Sequence, residues 1–169
     1  SRQAIMQMQL EEMSRLAMLD SLTGLANRRH LDQQLASRHE EWVRYGWTYG
    51  LVLFDLDRFK SINDSYGHPI GDRVLSVVAR TLSYNIRSFD LAGRWGGEEF
   101  LVIFRHVSPE FLRRKAEALR ILISRSRVIT DSGEVLRFSV SGGVAWSGEG
   151  EDTETLIRRA DEGLYLSKS

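Results

Sequence analysis

The stretch RWGGEEFLVIF, residues 94–104, places two glycines and two adjacent carboxylates directly before an apolar run. The run from Glu99 through Phe104 is typical of a buried strand, and residues 91–95 predict a short strand before it. Paired glycines accept the positive φ angles that tight hairpin turns require. We therefore predict a β-hairpin that turns at Gly96 and Gly97.

The segments on either side of this hairpin predict the rest of a layered fold. A β-rich run at 48–57 ends in two acids and predicts a central strand with carboxylates at its C-terminal end. The other predicted elements are a helix over 30–45, a loop over 59–71, helices over 71–87 and 108–124, a hairpin around Asp131-Ser132-Gly133 with 135–146 as its long strand, and a helix over 152–167. Strand, helix, strand, strand, helix, strand is the order of the split βαβ, ferredoxin-like arrangement. We therefore predict an α+β fold whose central antiparallel sheet is flanked by helices.

The N-terminal segment predicts a helix of a different kind. Residues 3–19 contain no Gly or Pro, and an apolar seam repeats at alternating spacings of four and three, at Met6, Leu10, Met13 and Ala17. The helix either packs on its own domain or forms the end of a coiled-coil stalk that joins a sensor to this domain. We divide the chain into a stalk or linker helix, 1–18, and one domain, 19–169.

The loop LDSLTGLANRR, residues 19–29, follows this helix. Asp20 and Thr23 can cap and turn the chain there, and Gly24 supplies backbone freedom.

Composition excludes several classes of function. The 169 residues carry 23 Lys and Arg against 23 Asp and Glu, a net charge of +0, so no overall field attracts a nucleic acid or an anionic membrane. The absence of cysteine excludes disulfides and thiolate metal sites, which leaves oxygen or histidine ligands for any metal. No apolar run approaches the roughly 18 to 20 residues of a membrane span. The sequence contains neither a P-loop nor a strand-linked GxGxxG, so any phosphate contacts must be of another kind.

Carboxylates at the strand end and at the hairpin are the strongest candidates for chemistry. Asp55 and Asp57 either cap a loop and pair with Arg58 and Lys60, or belong to a functional site. If the hairpin strand pairs beside 48–57, Glu98 comes near Asp55, and the resulting carboxylate cluster is hard to stabilise without a divalent cation. Oxygen ligands without cysteine favour Mg²⁺ or Mn²⁺ over zinc.

The hairpin glycines and the histidines carry weaker signals. Gly96 and Gly97 alone are typical of an ordinary tight turn, although a functional turn adds a second reason, because a backbone without Cβ can approach a nucleotide closely. The four histidines, at 30, 39, 68 and 106, show no metal-ligand spacing, and no Ser-His-Asp arrangement is legible.

Together, RWGGEEF, FDLDRFKSINDSYGHPIGD (54–72) and LDSLTGLANRR closely resemble the GGDEF-domain diguanylate cyclases. The resemblance covers residues 19–168, with the motifs in the family's order and spacing, and GGEEF is a common variant of the family's signature. It implies a nucleotidyl cyclase palm-like fold. It also implies that two GTP molecules are joined into cyclic di-GMP with release of two pyrophosphates, in a homodimer whose facing domains each hold one GTP. We expect a cytoplasmic location, either as a separate protein or as the cytoplasmic part of a membrane-anchored one. We also expect fusion to an N-terminal sensor or membrane region and no nucleic-acid partner.

The resemblance also implies roles for residues around the signature. Asp55 and Glu98 would bind two Mg²⁺ (or Mn²⁺) ions with the main-chain carbonyl of Leu56, which agrees with the general logic of two-metal sites. Glu98 is also the family's proposed proton acceptor. Glu99 and Asp57 would support the site, and Lys60 would neutralise phosphate charge in the transition state.

Further positions match the family's substrate contacts. Asn63 and Asp72 match residues that read the guanine edge, His68 matches a substrate contact in the same segment, and Lys168 matches a phosphate-contacting lysine. An Asp carboxylate accepts from guanine N1–H and the exocyclic amine, whereas adenine offers no such pair of donors, so Asp72 favours GTP over ATP.

RSFD, residues 87–90, matches the family's RxxD inhibitory site. Arg87 and Asp90 would clamp two intercalated product molecules, with Arg94 as a candidate helper. Out of context, the same four residues predict an ordinary exposed ion pair at a helix end.

Two hypotheses follow. The first is a metal-dependent diguanylate cyclase that acts as a dimer and is inhibited by its product. The second is a catalytically silent receptor for cyclic di-GMP, which the intact signature and metal residues argue against.

Overall fold

Six helices and six strands make up the described parts of the chain. The computed structural model describes residues 1–149 and 152–168, with side chains through residue 164. The helices are α1 (Arg2–Leu16), α2 (Arg28–Tyr45), α3 (Phe59–Tyr66), α4 (His68–Tyr84), α5 (Pro109–Ser124) and α6 (Thr153–Lys168). The strands are β1 (Tyr49–Leu56), β2 (Leu91–Arg94), β3 (Glu99–Arg105), β4 (Arg127–Ile129), β5 (Val135–Arg137) and β6 (Val140–Trp146), and a short 3₁₀ turn (Ser147–Glu149) follows β6.

The central sheet has the strand order β2-β3-β1-β6, and all its neighbouring pairs are antiparallel. β2 and β3 form the predicted hairpin, and the helical segment between β1 and β2 makes the crossover that leaves room for β3 between them. This is the split βαβ, ferredoxin-like arrangement. The prediction of an α+β fold with a central antiparallel sheet is confirmed.

Helices cover the sheet on both faces. Along β1, Val52, Phe54 and Leu56 pack into a cluster with residues of α4 and α5, whereas Leu51 and Leu53 pack into a second cluster with residues of α2 and α6. Successive side chains of a strand point to opposite faces, so a strand buried on both sides reads as a continuous apolar run. The run YGLVLF therefore lies in the middle of the core.

The predicted N-terminal helix is present as α1, and none of its residues is buried. Met6, Leu10 and Met13 of the apolar seam are each more than half exposed. Packing of this helix on its own domain therefore has no support in the structure, and the stalk stays a prediction. Within residues 1–149 and 152–168, no helix combines the length and the apolar character needed to cross a membrane.

The prediction of a loop over 59–71 is wrong, because the segment forms α3 and the start of α4. Phe59, Ile62 and Tyr66 recur at spacings of three and four and pack against the core, but the polar residues between them hid this period. Gly67, at φ +90°, separates the two helices.

The prediction of one long strand over 135–146 is also wrong. β5 ends at Arg137 and pairs with β4 in a separate two-stranded sheet, whereas β6 begins at Val140 and joins the central sheet. The sequence pattern runs through the break because Leu136, Phe138 and Val140 are all buried. The hairpin turn itself lies where predicted, with Gly133 at φ +86°.

Candidate active site

Pairing between β1 and β3 brings the predicted carboxylates together at one end of the sheet. Asp55 lies opposite Glu99 in the antiparallel register. The Leu56 N–H donates a hydrogen bond of 3.1 Å to the carbonyl of Glu98, which ties the hairpin turn to the end of β1. Glu98 is thus a neighbour of Asp55 and Leu56, although it lies more than 40 positions from them in the chain.

An open cavity of about 640 Å³ lies at this point, between the strand ends and helices α3 and α4. It is lined by Asp55, Phe59, Asn63, His68, Asp72, Leu75, Arg94, Gly97, Glu98 and Glu99. All of these except Phe59, Leu75 and Arg94 are residues that the sequence predicted for the active site, and Arg94 was predicted only as a helper of the inhibitory site. The cavity therefore joins the carboxylate end of the sheet to the residues expected to contact a nucleotide base.

The carboxylates repel one another electrostatically. Partial burial raises the pKa of Glu99, and the negative charges of Asp55, Asp161 and Glu98 raise that pKa further, while Arg28 opposes the change. A cation among these groups would relieve the repulsion.

The oxygen donors fit a hard divalent cation. Asp55 and Glu98 supply carboxylates, and the adjacent Leu56 carbonyl is a main-chain oxygen, the ligand types that Mg²⁺ accepts. Among the described residues, no three His, Cys, Asp or Glu side chains form a metal-binding cluster by themselves. Mg²⁺ does not require such a cluster, because it usually keeps several waters and uses one or two carboxylates together with substrate phosphates.

The side of the cavity that α3 and α4 form depends on close packing between these two helices. A Cβ on Gly71 would lie 1.9 Å from Asn63 Oδ1, so a larger residue at this position would displace the Asn63 side chain. Asn63 Oδ1 is buried and accepts no hydrogen bond within the described structure. Buried polar atoms are normally paired, so Asn63 is suited to accept a hydrogen bond from a bound molecule.

Not every predicted residue lies in this cavity. Asp57 follows the end of β1, and its carboxylate accepts hydrogen bonds from Ser139 Oγ (2.7 Å) and Ser141 Oγ (2.6 Å) in other pockets. Lys60 is exposed in the first turn of α3. The side chain of Lys168, the last residue of α6, lies outside the described residues.

The hairpin turn does not use the backbone conformation expected of it. Neither Gly96 nor Gly97 has a positive φ, so that part of the turn prediction is wrong. A Cβ on Gly96 would lie 2.8 Å from Glu99 Oε1, whereas one on Gly97 would meet nothing within 4 Å. Gly97 therefore leaves an open approach to the main chain of the turn.

Arg94 is a site residue whose position the sequence did not reveal. Its Nη2 and Nε donate to the carbonyl of Gly97 at 2.7 and 3.2 Å, and its Nη1 lies 3.4 Å from both carboxylate oxygens of Asp20. It lines the carboxylate cavity, whereas Arg87 and Asp90 line another. A bond between residues 74 positions apart leaves no local signal in the sequence.

Arg87 and Asp90 form an ion pair with two parallel hydrogen bonds. Asp90 Oδ2 accepts from Arg87 Nε at 2.8 Å, and Oδ1 accepts from Arg87 Nη2 at 3.0 Å and from the Arg105 N–H at 3.1 Å. The Asp90 side chain is 0% exposed and that of Arg87 is 33% exposed. Asp90 thus holds Arg87 in place, and Arg87 presents the accessible surface of the pair.

Sequence comparison matches residues 17–169 to the family described as "Diguanylate cyclase, GGDEF domain". The response regulator PleD of Caulobacter vibrioides is 43% identical over 162 residues, which are 95% of this chain and 36% of PleD. Diguanylate cyclase DgcM of Escherichia coli K12 is 38% identical over 159 residues, which are 94% of this chain and 38% of DgcM. The chain thus spans little more than a third of the length of these relatives.

Solved structures show the same architecture. The coiled coil and GGDEF domain of DgcB from Caulobacter crescentus, in complex with c-di-GMP, superposes with a TM-score of 0.94 at 32% identity, covering 99% of this chain and 88% of that one. Diguanylate cyclase SiaD from Pseudomonas aeruginosa, in complex with its activator SiaC, superposes with a TM-score of 0.88 at 35% identity, covering 99% of this chain and 64% of that one.

Proposed function

The chain belongs to the GGDEF family of diguanylate cyclase domains, and from this premise we propose that it condenses two GTP molecules into cyclic di-GMP and two pyrophosphates. The observation that carries the proposal is the single cavity in which Asp55 and Glu98 meet Asn63 and Asp72. It combines carboxylates suited to a cation with polar groups suited to a guanine edge.

We propose that two Mg²⁺ or Mn²⁺ ions are held by the carboxylates of Asp55 and Glu98 and the carbonyl of Leu56. Bound there, such ions would favour the attacking alkoxide and neutralise charge on the triphosphate. The hydrogen bond from the Leu56 N–H to the Glu98 carbonyl supports this assignment, because it keeps both main chains together.

The substrate contacts follow the two sides of the cavity. Asp72 accepts from guanine N1–H and the exocyclic amine, Asn63 accepts at its buried Oδ1, and His68 lies one helical turn before Asp72 on α4. No side chain caps the N-terminus of α3, so N–H groups of its first turn are suited to phosphate oxygens, with Lys60 beside them. The acceptors at Asp72 and Asn63 support GTP over ATP, because guanine presents N1–H and the exocyclic amine as a pair of donors.

Each reaction step joins groups held by two copies of the domain. The 3′-oxygen of one GTP forms a bond to the α-phosphorus of the other, the bond from that phosphorus to the bridging oxygen breaks, and pyrophosphate leaves. The 3′-hydroxyl proton passes to a base, for which Glu98 is the candidate. A homodimer is required because one cavity holds one GTP, and the exposed apolar residues of α1 support pairing through that helix.

Regulation is proposed at Arg87 and Asp90, where cyclic di-GMP would bind and inhibit. The Arg87 side chain, which is one-third exposed and held by Asp90, supports this, since a planar guanidinium can fork onto phosphate or guanine. A silent receptor would use the same pair without turnover. The cavity carboxylates favour the enzyme, because a receptor has no need of a cation site.

We also propose a cytoplasmic location and an N-terminal sensor or membrane region joined through α1. The use of GTP as substrate supports the location. The relatives, of which this chain covers 36–38%, support additional regions.

Incubation of concentrated protein with GTP and Mg²⁺, followed by separation of nucleotides, tests the function. We expect cyclic di-GMP and pyrophosphate from the wild type, none from Asp55→Ala, and no cyclic product from ATP. If the wild type forms no product even when a fused coiled coil holds it as a dimer, the enzyme proposal fails. Binding of cyclic di-GMP by wild type but not by Arg87→Ala would then establish the receptor.

Divalent cations alone should stabilise the domain, because a cation relieves the repulsion among the cavity carboxylates. At a Mn²⁺ concentration ten times the dissociation constant, we expect the unfolding temperature to rise by about 3 °C. Differential scanning fluorimetry without nucleotide measures this, with NaCl at matched ionic strength as a reference. Asp55→Ala should abolish the rise, and an equal rise in that variant would contradict the metal assignment.

A further inference from the structure

Arg28 makes two contacts with Trp95, the residue that directly precedes the two glycines of the hairpin turn. Its guanidinium carbon lies 3.3 Å from the centroid of the Trp95 ring, and its Nη1 donates a hydrogen bond of 3.1 Å to the Trp95 carbonyl. The stacking contact holds the side chain and the hydrogen bond holds the main chain. Together they fix both the ring and the peptide of Trp95.

The position of Trp95 also determines where the hairpin turn lies. The Trp95 N–H donates to the carbonyl of Glu99 at 2.8 Å, which closes the turn around Glu98. From the opposite side, Arg94 holds the Gly97 carbonyl and contacts Asp20. Both sets of contacts with the turn therefore reach back to residues 20–28, which belong to the connection between α1 and α2 and include the first residue of α2.

That segment also receives the end of α1. The side-chain amide of Asn27 donates to the Ala17 carbonyl at 2.8 Å, and the Asn27 N–H donates to the Met18 carbonyl at 2.9 Å. The carbonyl of Ala26 accepts from the Arg94 N–H at 2.8 Å. Asn27, next to Arg28, is thus hydrogen-bonded to the residues that follow α1. Its neighbour Ala26 is hydrogen-bonded to the strand that leads into the turn.

We propose that Arg28 is a positioning residue that acts through Trp95 on the turn 95–99, so that the placement of Glu98 depends on the segment that receives α1. Arg28 does not line the cavity that holds Asp55 and Glu98; it lies on the other side of the turn, beside Glu99. The role of Arg28 in holding the turn is inferred from its contacts with Trp95 alone. The expected effect on turnover rests on the proposed function.

Hydrogen exchange of peptides that span residues 94–100 tests this role independently of activity. We expect exchange on the order of tenfold faster in Arg28→Ala, because the loss of the contacts with Trp95 promotes local opening of the turn. Arg29→Ala is the matched control: it removes the neighbouring exposed arginine, which forms no ion pair or stacking contact among the described residues. Its exchange should equal that of the wild type.

Measurements of kcat and KM then test whether the contacts between Arg28 and Trp95 position Glu98. Arg28→Ala should lower kcat for cyclic di-GMP formation about tenfold, since small misplacements of reacting groups are costly, with the KM for GTP within twofold of wild type. In a Trp95→Ala background, Arg28→Ala should have a smaller effect than in the wild type, because the stacking contact is already lost and only the hydrogen bond to the carbonyl of residue 95 remains to be removed.

Three results would overturn the proposal: unchanged exchange in Arg28→Ala, faster exchange without a fall in kcat, or additive effects of the Arg28 and Trp95 substitutions. If the wild type makes no cyclic di-GMP, the proposed function fails by itself. The exchange measurement still decides whether Arg28 holds the turn, so the two failures are distinguishable.

Discussion

Replacing Glu98 with glutamine is expected to lower kcat for cyclic di-GMP formation by at least about 10³-fold. The substitution keeps the size of the side chain and removes its charge. It therefore takes away one of the two carboxylates proposed to hold the cations and, at the same time, the candidate proton acceptor. Turnover should be measured at saturating GTP and Mg²⁺ on protein held as a dimer, so that weak association does not limit the rate.

The neighbouring residue offers a matched control. Glu99→Gln makes the same chemical change one position later, at a carboxylate that lies in the register opposite Asp55. Since Glu99 supports the site without a direct chemical assignment, we expect a loss of only about tenfold. Equal losses in the two variants, or full activity in Glu98→Gln, would contradict the distinct part assigned to Glu98. Unfolding temperatures of both variants exclude a general loss of structure.

The antiparallel register that builds the site could be predicted because one sequence pattern determines it. An apolar run that ends in Asp55 and a hairpin strand that starts at Glu99 can bury their apolar residues together only if the acids meet at the sheet edge. A register shift by one residue would turn each side chain to the opposite face. Once these two strands are taken to pair, the meeting of Asp55 and Glu98 at one cavity follows from these local patterns.

Other parts of the site depend on details that such patterns do not contain. Alternation along a strand would place Asp55 and Asp57 together, but β1 ends at Leu56, and Asp57 turns to the hydroxyls of Ser139 and Ser141. The contact of Arg28 with Trp95 spans 67 positions and depends on how the start of α2 lies against the hairpin. Contacts of this kind arise from tertiary packing, which has no period in the sequence.

Replacing Gly143 with alanine is expected to lower the free energy of unfolding by about 3 kcal/mol or more. Gly143 lies in β6 where α6 crosses the sheet, and an added Cβ would lie 1.8 Å from the carbonyl oxygen of Ala160 and 2.6 Å from the Leu164 nitrogen. Both atoms belong to the helix backbone, so no side chain can rotate away and α6 itself must move. Urea unfolding, with the slope compared to that of wild type, measures the loss.

Gly97→Ala is the control for this loss, because a Cβ at Gly97 meets nothing within 4 Å and its φ is not positive. Its free energy of unfolding should stay within about 0.5 kcal/mol of wild type. If Gly143→Ala were equally mild, α6 would have to shift outward without loss of packing, although Leu156, Ala160 and Leu164 are all buried against the sheet. α6 ends at Lys168, the residue matched to a phosphate contact. An outward shift of α6 should therefore raise the KM for GTP. If α6 cannot shift, the substitution should lower the free energy of unfolding instead.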